Sequence, residues 1–263
     1  MRSTEILALA LIALVSFGLS YIGATVGLVL GQLRVALLVY VLGSPVIGAA
    51  TSLAISTAGT LTGTLRHARE GRVSPWLLAT VGAPSALAAF LSARWAGSVD
   101  ARVLKAVIAL VLLLTGVSML RRRPEPTGPS EHVSSRSFAV AAEVVVGAAL
   151  GAISGLVGLL LGSLRLPAMI RYARVPPPVA VGTNMAIGAV TGLSAGVATF
   201  LEGQVHFGAF AVVTPLTLLG ANLGARRTGR LDEASLRRWI AWILLLSAAL
   251  MLCELGVALY RAG

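Results

Sequence analysis

The sequence predicts an all-α polytopic membrane protein built from two inverted-topology repeats, with short broken or re-entrant helices that meet near the bilayer midplane. Three observations support this prediction. Hydrophobic residues make up 57% of the chain and charged residues 12%, whereas a soluble domain has roughly 25% charged residues. Several apolar runs approach the ~20 residues that a helix needs to cross a bilayer. The second half of the chain also repeats features of the first half.

Hydropathy predicts five apolar segments on each side of a polar linker that contains proline. The repeats are therefore residues 1–120 and 138–263, joined by a cytoplasmic linker at 121–137. The first segment continues well past the length of a signal-peptide core, so we expect it to be a retained helix. The segments are Ile6 to Leu30, Leu33 to Leu42, Val46 to Leu65, Pro75 to Leu91, Val103 to Leu120, Phe138 to Leu161, Leu164 to Ile170, Val179 to Leu201, Phe207 to Gly224 and Leu236 to Tyr260.

The internal repeat appears when one half is displaced over the other by 131 or 132 residues. Glycines, prolines, arginines and other distinctive residues then coincide in the same order along both halves, and duplication is the simplest explanation. The coinciding pairs include Gly27 with Gly158, Gly31 with Gly162, Arg34 with Arg165, Pro45 with Pro177, Thr51 with Thr183, Gly71 with Gly203 and Met119 with Met251.

The distribution of basic residues predicts that the two halves have opposite orientations. The loop "RHAREGR" at 66–72 is strongly basic, whereas its counterpart "LEGQVHF" at 201–207 contains no lysine or arginine. Short cytoplasmic loops are enriched in these residues. If each half crosses an odd number of times, most basic residues lie in the cytoplasm and both termini lie outside. Many secondary transporters have such inverted repeats.

The short segments contain the most unusual residues of the sequence. Leu33 to Leu42 would be about 15 Å long as a helix, roughly half the hydrocarbon thickness. Arg34 and Arg165 occupy equivalent positions at these breaks, and a mid-membrane arginine costs about 2.5–3.5 kcal/mol on insertion scales. A bound anion, helped by the positive ends of the short helices, could compensate both charges. Alternatively, both side chains reach a head-group boundary and only anchor the loops.

Neutral hydrogen-bonding groups accompany the arginines at equivalent positions in the two halves. Hydroxyl and amide donors suit an oxyanion, but serine and threonine also bond back to their own helix or to a neighbouring one. Glycines at GxxxG spacing have a second interpretation as close helix contacts. The predicted substrate-binding residues are Gly31, Gln32, Arg34, Thr51, Ser52, Gly162, Ser163, Arg165, Thr183 and Asn184.

Several function classes are disfavoured by composition and motifs. The formal charge of +11 is scattered over short loops, which argues against nucleic-acid binding. The single cysteine, Cys253, allows no intrachain disulfide or CxxC metal pair, and no cofactor or metal is predicted. We find no Walker A, HExxH or GxSxG motif, so an intramembrane enzyme has little support. The acids Glu143, Glu202 and Glu254 are few and are not expected at duplicated positions, which argues against a cation pathway.

The residues around both breaks resemble the TauE/SafE family of sulfite exporters over nearly the whole chain. "GLVLGQLRVA" and "GLLLGSLRLP" are similar to its pattern of G-x-G-G-G followed by V-P, although the central glycines are missing and Ala36 replaces the first proline. "AATSLAISTAGTLTGTLRHAREGRV" and "AVGTNMAIGAVTGLSAGVATFLEGQV" resemble its helix that leads to a basic turn and a G-x-V ending. The resemblance implies export of small oxyanions or organosulfur acids such as sulfite, sulfoacetate or related sulfonates and carboxylates.

We therefore expect a secondary transporter that moves a small anion, in the outward direction, by alternating access of the two repeats. The expected partners are that anionic substrate and the lipid bilayer of the cell membrane, with no nucleic acid; a homodimer is left open. The alternative is a non-transporting membrane scaffold or assembly factor, for which GxxxG packing would suffice.

Overall fold

The computed structural model describes residues 3–26, 31–121, 136–162, 165, 169, 175–225 and 233–260. These residues form helices and connecting turns, with no strand among them. The helices are α1 Ser3–Val26, α2 Gln32–Leu42, α3 Pro45–Arg69, α4 Pro75–Leu77, α5 Ala83–Trp95, α6 Ala101–Arg121, α7 Arg136–Val157, α8 Pro177–Leu201, α9 Phe207–Ala225 and α10 Glu233–Tyr260.

The all-α membrane class is confirmed by seven helical segments in the described ranges that are long and apolar enough to cross a bilayer. The predicted segment bounds agree with the helices to within a few residues. Leu33–Leu42 is a shorter apolar helix, as expected. Three parts of the prediction lie outside the described residues, wholly or for the most part: the segment Leu164 to Ile170, the 121–137 linker and the end of the first segment at 27–30.

Helix α2 folds back along α3 through a two-residue turn. Gly43 ends α2 with a φ of 65°, a conformation that glycine adopts without steric penalty. Ser44 then caps α3, because its Oγ accepts a 3.3 Å hydrogen bond from the Ile47 backbone N–H, and Pro45 occupies the first helical position, which needs no N–H donor. The turn therefore brings the start of α2 beside the middle of α3.

The centre of the molecule is formed by α3 and α8, the equivalent helices of the two halves. Within their membrane windows 67% and 61% of residues are buried, against 39% or less in the other five spans. A Cβ on Gly63, late in α3, would approach Met185, early in α8, to 2.7 Å, while Gly192, later in α8, packs against Thr57. The two central helices therefore run antiparallel, and small residues let them approach closely.

The segment that follows α3 is not the single regular α-helix that hydropathy predicts from Pro75 to Leu91. It consists of α4, a π-helical turn at Leu78–Gly82 and α5. Pro84 has no backbone N–H and so cannot donate the backbone hydrogen bond of a regular α-helix. In the π-turn before it, each backbone N–H bonds to the carbonyl five residues earlier instead of four. The interruption lies at the base of α5.

Candidate functional site

Arg34 is buried between α2 and α3 with only neutral hydrogen-bond acceptors. Its side chain is 2% exposed. The guanidinium Nε donates to Ser52 Oγ at 3.4 Å, and Nη2 donates to the Ser52 carbonyl at 3.2 Å and to Ser56 Oγ. Ser52 Oγ in turn donates to the Gly31 carbonyl at 3.4 Å. Ser52 and Ser56 lie about 10 and 16 Å along a helix of about 37 Å, so the charge is deep within the bundle.

Arg165 repeats this arrangement in the second half with an amide in place of a hydroxyl. Its side chain is 4% exposed. Nε donates to Asn184 Oδ1 at 2.9 Å and Nη2 donates to the Asn184 carbonyl at 3.3 Å. Asn184 Nδ2 then donates to the Gly162 carbonyl at 3.2 Å. Asn184 is the counterpart of Ser52 and Gly162 that of Gly31, so two different side chains make the same three connections.

Both arginines retain N–H groups that the described residues do not engage. A guanidinium has five N–H donors. Arg34 directs three of them to Ser52 and Ser56, and Arg165 directs two to Asn184. The described ion pairs join other residues. Both charges are therefore buried, positive and without a carboxylate partner among the described residues, and the interpretation that they extend to the head groups is not supported.

A cavity of about 40 Å³ adjoins Arg34. A water molecule needs roughly 10–15 Å³ on this measure, so the space suits a few waters or a small ion. The wall combines hydroxyl groups with one flexible thioether, and four helices besides α2 contribute to it. The lining residues are Ser20, Ala24, Gly31, Arg34, Ser56, Gly59, Thr60, Met185, Thr217 and Ala221.

At the predicted glycines of the site, the arginines and their hydrogen-bond partners leave no room for a side chain. A Cβ on Gly31 would collide with Ser56 Oγ and come within 3.1 Å of Arg34 Nη2. A Cβ on Gly162 would lie 2.7 Å from Asn184 Nδ2. The glycine before it in the motif, Gly158, has a φ of 68° and packs against the Ala49 backbone. These glycines allow the breaks to lie directly against α3 and α8.

The two predicted threonines occupy a reciprocal contact between the halves. Thr51 Oγ1 accepts a 2.9 Å hydrogen bond from the backbone N–H of His206, and Thr183 Oγ1 accepts a 2.8 Å hydrogen bond from the backbone N–H of Ser74. Ser74 and His206 are themselves counterparts, so each half supplies the same donor to the other. The hydroxyl oxygens of both threonines are thus used to hold the loop that follows the opposite central helix.

Two predicted site residues cannot be placed, and eight of the ten residues that line the cavity were not predicted. Ser163 and the side chain of Gln32 lie outside the described residues. Ser56, Thr60 and Met185 line the cavity but were not among the predicted residues. Ser56 follows Ser52 by four residues, so both lie on one face of α3; this spacing could have identified it.

The acidic residues partly differ from expectation. Glu202 was not expected at a duplicated position, but it ends α8 as its counterpart Glu70 ends α3. Glu202 lies at the solvent-exposed end of α8, as expected of a loop residue, and its carboxylate pairs with Arg94 Nε at 3.2 Å. Glu143 makes no ion pair in the described part of the chain, and its Oε2 is buried without a hydrogen-bond partner there. The Glu254 side chain lies outside that part.

Comparison with known proteins gives a consistent family assignment. A family model described as "Sulfite exporter TauE/SafE" matches residues 12–251. A "Probable membrane transporter protein" of Xylella fastidiosa (strain 9a5c) is 30% identical over 175 residues, which are 62% of this chain. The match spans 66% of that relative's length, slightly less than two thirds. No solved structure matches this chain.

Proposed function

This chain belongs to the sulfite exporter TauE/SafE family of membrane transporters, and we propose that it exports a small oxyanion, such as sulfite, sulfoacetate or a related sulfonate or carboxylate, by alternating access. The observation that carries this proposal is the pair of buried arginines with N–H groups that no described residue engages. An anion at these N–H groups would supply the charge that no described carboxylate supplies.

The energetics favour this role over that of a passive scaffold. Two mid-membrane arginines together cost roughly 5–7 kcal/mol on insertion scales, and neutral acceptors recover only part of the lost hydration. Helix packing alone requires neither charge, since small residues suffice for close contact. A scaffold would therefore retain a costly pair of residues without using them.

Many transporters that use alternating access have two halves with opposite orientations, and the central contacts support such a repeat. Helices α3 and α8 run antiparallel, and Thr51 and Thr183 exchange equivalent hydrogen bonds with His206 and Ser74. The basic turn after α3 and the neutral turn after α8 are consequently at opposite ends of the bundle. We assign the basic turn to the cytoplasm, which gives an inverted-topology repeat in the cell membrane.

Export is supported by the charge of the solute and by the place of the cavity. A membrane potential that is negative inside favours loss of an anion by about 2.3 kcal/mol per charge per 100 mV. Thr217 and Ala221 line the cavity beyond the midpoint of α9, a helix that runs from the neutral turn toward the cytoplasmic side in this topology. The cavity is then positioned for loading from the cytoplasm.

The proposal is tested by flux of labelled sulfite and labelled sulfoacetate from proteoliposomes. We expect Arg34→Ala combined with Arg165→Ala to abolish flux while the helical content measured by circular dichroism is kept. Arg94→Ala is the matched control, because the Arg94 side chain is 54% exposed and should be dispensable. Normal flux in the double variant would refute the role of the buried charges, and no flux in the parent protein for either anion would refute this substrate class.

A further inference from the structure

The surroundings of the two arginines differ although the arginine contacts are equivalent. Arg34 adjoins a cavity between α1, α3 and α9. At the counterpart positions in the second half, Gly151 and Gly155 of α7 press against the backbone of Ser85 and Ala89 in α5. Ser85 and Ala89 are completely buried. The counterparts of the lining residues of α1 and α9 are thus in direct backbone contact with each other, whereas Ser20, Ala24, Thr217 and Ala221 border a cavity.

Hydrogen bonds between helices reinforce this closed side. Ser85 Oγ of α5 and Thr191 Oγ1 of α8 lie 2.9 Å apart and share a hydrogen bond. Ser194 Oγ of α8 donates to the Ala86 carbonyl of α5 at 2.7 Å. We call these two contacts the α5 seal. They hold α5 against α8 in the half of the bundle that faces outside in the proposed topology.

The counterpart residues in the first half form no such seal. Thr217, the counterpart of Ser85, donates to the Val213 carbonyl of its own helix at 2.9 Å. Thr62, the counterpart of Ser194, donates to the Ala58 carbonyl of its own helix at 3.2 Å. Gly59 stands where Thr191 stands in the other half and has no hydroxyl. The two halves therefore differ in whether the outer helix is bonded to the central one.

Helix α5 also begins at a position where helices commonly bend. The π-helical turn at Leu78–Gly82 immediately precedes α5, and Pro84 lies in the first turn of α5. Such π-turns and prolines are the usual sites of helix kinks and often mark functional positions. Helix α9, the counterpart of α5, runs from Phe207 to Ala225 with Pro215 inside it but without a π-turn. Of these two helices, α5 is the one with an interruption at its base.

From these observations we propose that α5 is the outer gate of the transporter, closed by the α5 seal and opened by bending at the π-turn. This inference rests on the proposed alternating access. When the seal breaks, Arg165 becomes accessible from the outside. The structure thus has the outer gate closed, with the cavity at Arg34 on the cytoplasmic side.

Cysteine labelling tests the gate without any transported solute. In a Cys253→Ser background, Ala93→Cys introduces a thiol on the buried face of α5, where Ala93 is fully buried. We expect Ser85→Ala combined with Ser194→Ala to raise the labelling rate at that thiol about thirtyfold, since two hydrogen bonds of about 1 kcal/mol each are lost. The reagent is a membrane-impermeant methanethiosulfonate added from outside. Ser98→Cys, at an exposed position, should label equally in both backgrounds.

Thr62→Ala combined with Thr217→Ala is the matched control, because both hydroxyls bond within their own helices. We expect no change in Ala93→Cys labelling in that variant. Equal labelling rates with and without the seal would overturn the gate. Faster labelling without the seal in a protein that transports no tested anion would support the gate and refute the proposed function, so the two failures are distinguishable.

A cross-link provides the converse test. Ser85→Cys with Thr191→Cys, oxidised to a disulfide, should stop flux of labelled sulfoacetate, and a reductant should restore it. Sulfoacetate is used because sulfite itself cleaves disulfides. Each single cysteine variant should transport normally under oxidant. Unchanged flux through protein in which the disulfide is verified by mass spectrometry would also overturn the gate.

Discussion

Asn184 and Arg165 contact each other in a way that fixes both side chains. Arg165 Nε donates to Asn184 Oδ1 at 2.9 Å, while the Asn184 amide nitrogen donates to the Gly162 carbonyl. The carboxamide therefore has a fixed orientation and presents a neutral oxygen to the guanidinium. Ser52 performs the same two functions toward Arg34 and Gly31. Because both partners are neutral, they do not compensate the positive charge of either guanidinium.

Replacing that neutral oxygen by a carboxylate should remove anion transport. Asn184→Asp would place a negative charge at the position of Oδ1, and two unit charges about 4 Å apart attract by about 4 kcal/mol at an effective dielectric constant of 20. We expect sulfite flux in proteoliposomes to fall at least tenfold. The aspartate gains an ion pair with Arg165 but loses the hydrogen bond that Asn184 Nδ2 donates to the Gly162 carbonyl, so flux is the deciding measurement and the melting temperature only checks that the variant is folded. Asn184→Ser, which copies the counterpart Ser52, is the neutral control and should transport. Full activity of the aspartate variant would show that the potential at Arg165 is not used.

Removal of the reciprocal threonine hydroxyls should destabilise the fold. Thr51→Val and Thr183→Val each leave a backbone N–H, of His206 or Ser74, without its acceptor. An unsatisfied buried donor costs about 1–3 kcal/mol. Both N–H groups are only partly buried, so we expect each variant to lower the melting temperature in detergent by an amount that corresponds to the lower end of that range. Thr51→Ser and Thr183→Ser retain the oxygen and should behave like the parent. An unchanged melting temperature with a raised KM for transport would instead indicate that the threonine hydroxyls bind the solute.

Gly158 should be far less tolerant of alanine than a glycine in open space. Its φ is 68°, which costs a residue with a Cβ about 1–2 kcal/mol, and the new Cβ would collide with the Ala49 carbonyl. We expect Gly158→Ala to lower the free energy of unfolding by at least this amount. Gly196→Ala is the control, since nothing lies within 4 Å of its added Cβ and helix propensity favours alanine by about 1 kcal/mol. Equal thermal stability of the two variants would contradict the close contact.

Met185 should limit the size of the transported anion. It lines the cavity of about 40 Å³ beside Arg34, and truncation to alanine would enlarge that space. We expect Met185→Ala to increase sulfoacetate flux relative to sulfite flux about tenfold, because pockets discriminate by about this factor per small group. Met251→Ala removes an equally flexible buried side chain in α10 that does not line the cavity. Both variants should be destabilised by about 2–5 kcal/mol, and the same selectivity change in both would argue against the cavity as the site.

The sequence alone predicted most of the membrane architecture, because crossing a bilayer depends on the length and apolarity of a local segment. The bounds of α2 follow from a short apolar run between Gly31 and Gly43, and those of α8 from a longer run that begins at Pro177 and ends before Gly203. The π-turn at Leu78–Gly82 was not predicted, since its bonding shift depends on Pro84 and on contacts with α7 and α8. Hydropathy is similar for a regular helix and for one with such an interruption.

The candidate site likewise has features that the sequence predicts and contacts that only the fold reveals. Duplication identified Arg34 and Arg165 together with Ser52 and Asn184, because equivalent positions are visible in the sequence. It did not reveal that Thr51 accepts its hydrogen bond from His206, which is 155 residues away, or that Met185 lines the same cavity as Arg34. Such contacts depend on how α3 and α8 cross.

The sequence by itself determined the membrane class, the repeat and the unusual pair of equivalent arginines, since each is a property of local composition or of spacing within the chain. Only the tertiary structure decided that both arginines are buried and that Arg34 adjoins a cavity lined by α1, α3, α8 and α9. Small differences, such as Gly59 where the other half has Thr191, change which helices bond to each other, and their effect depends on contacts between segments distant in the chain.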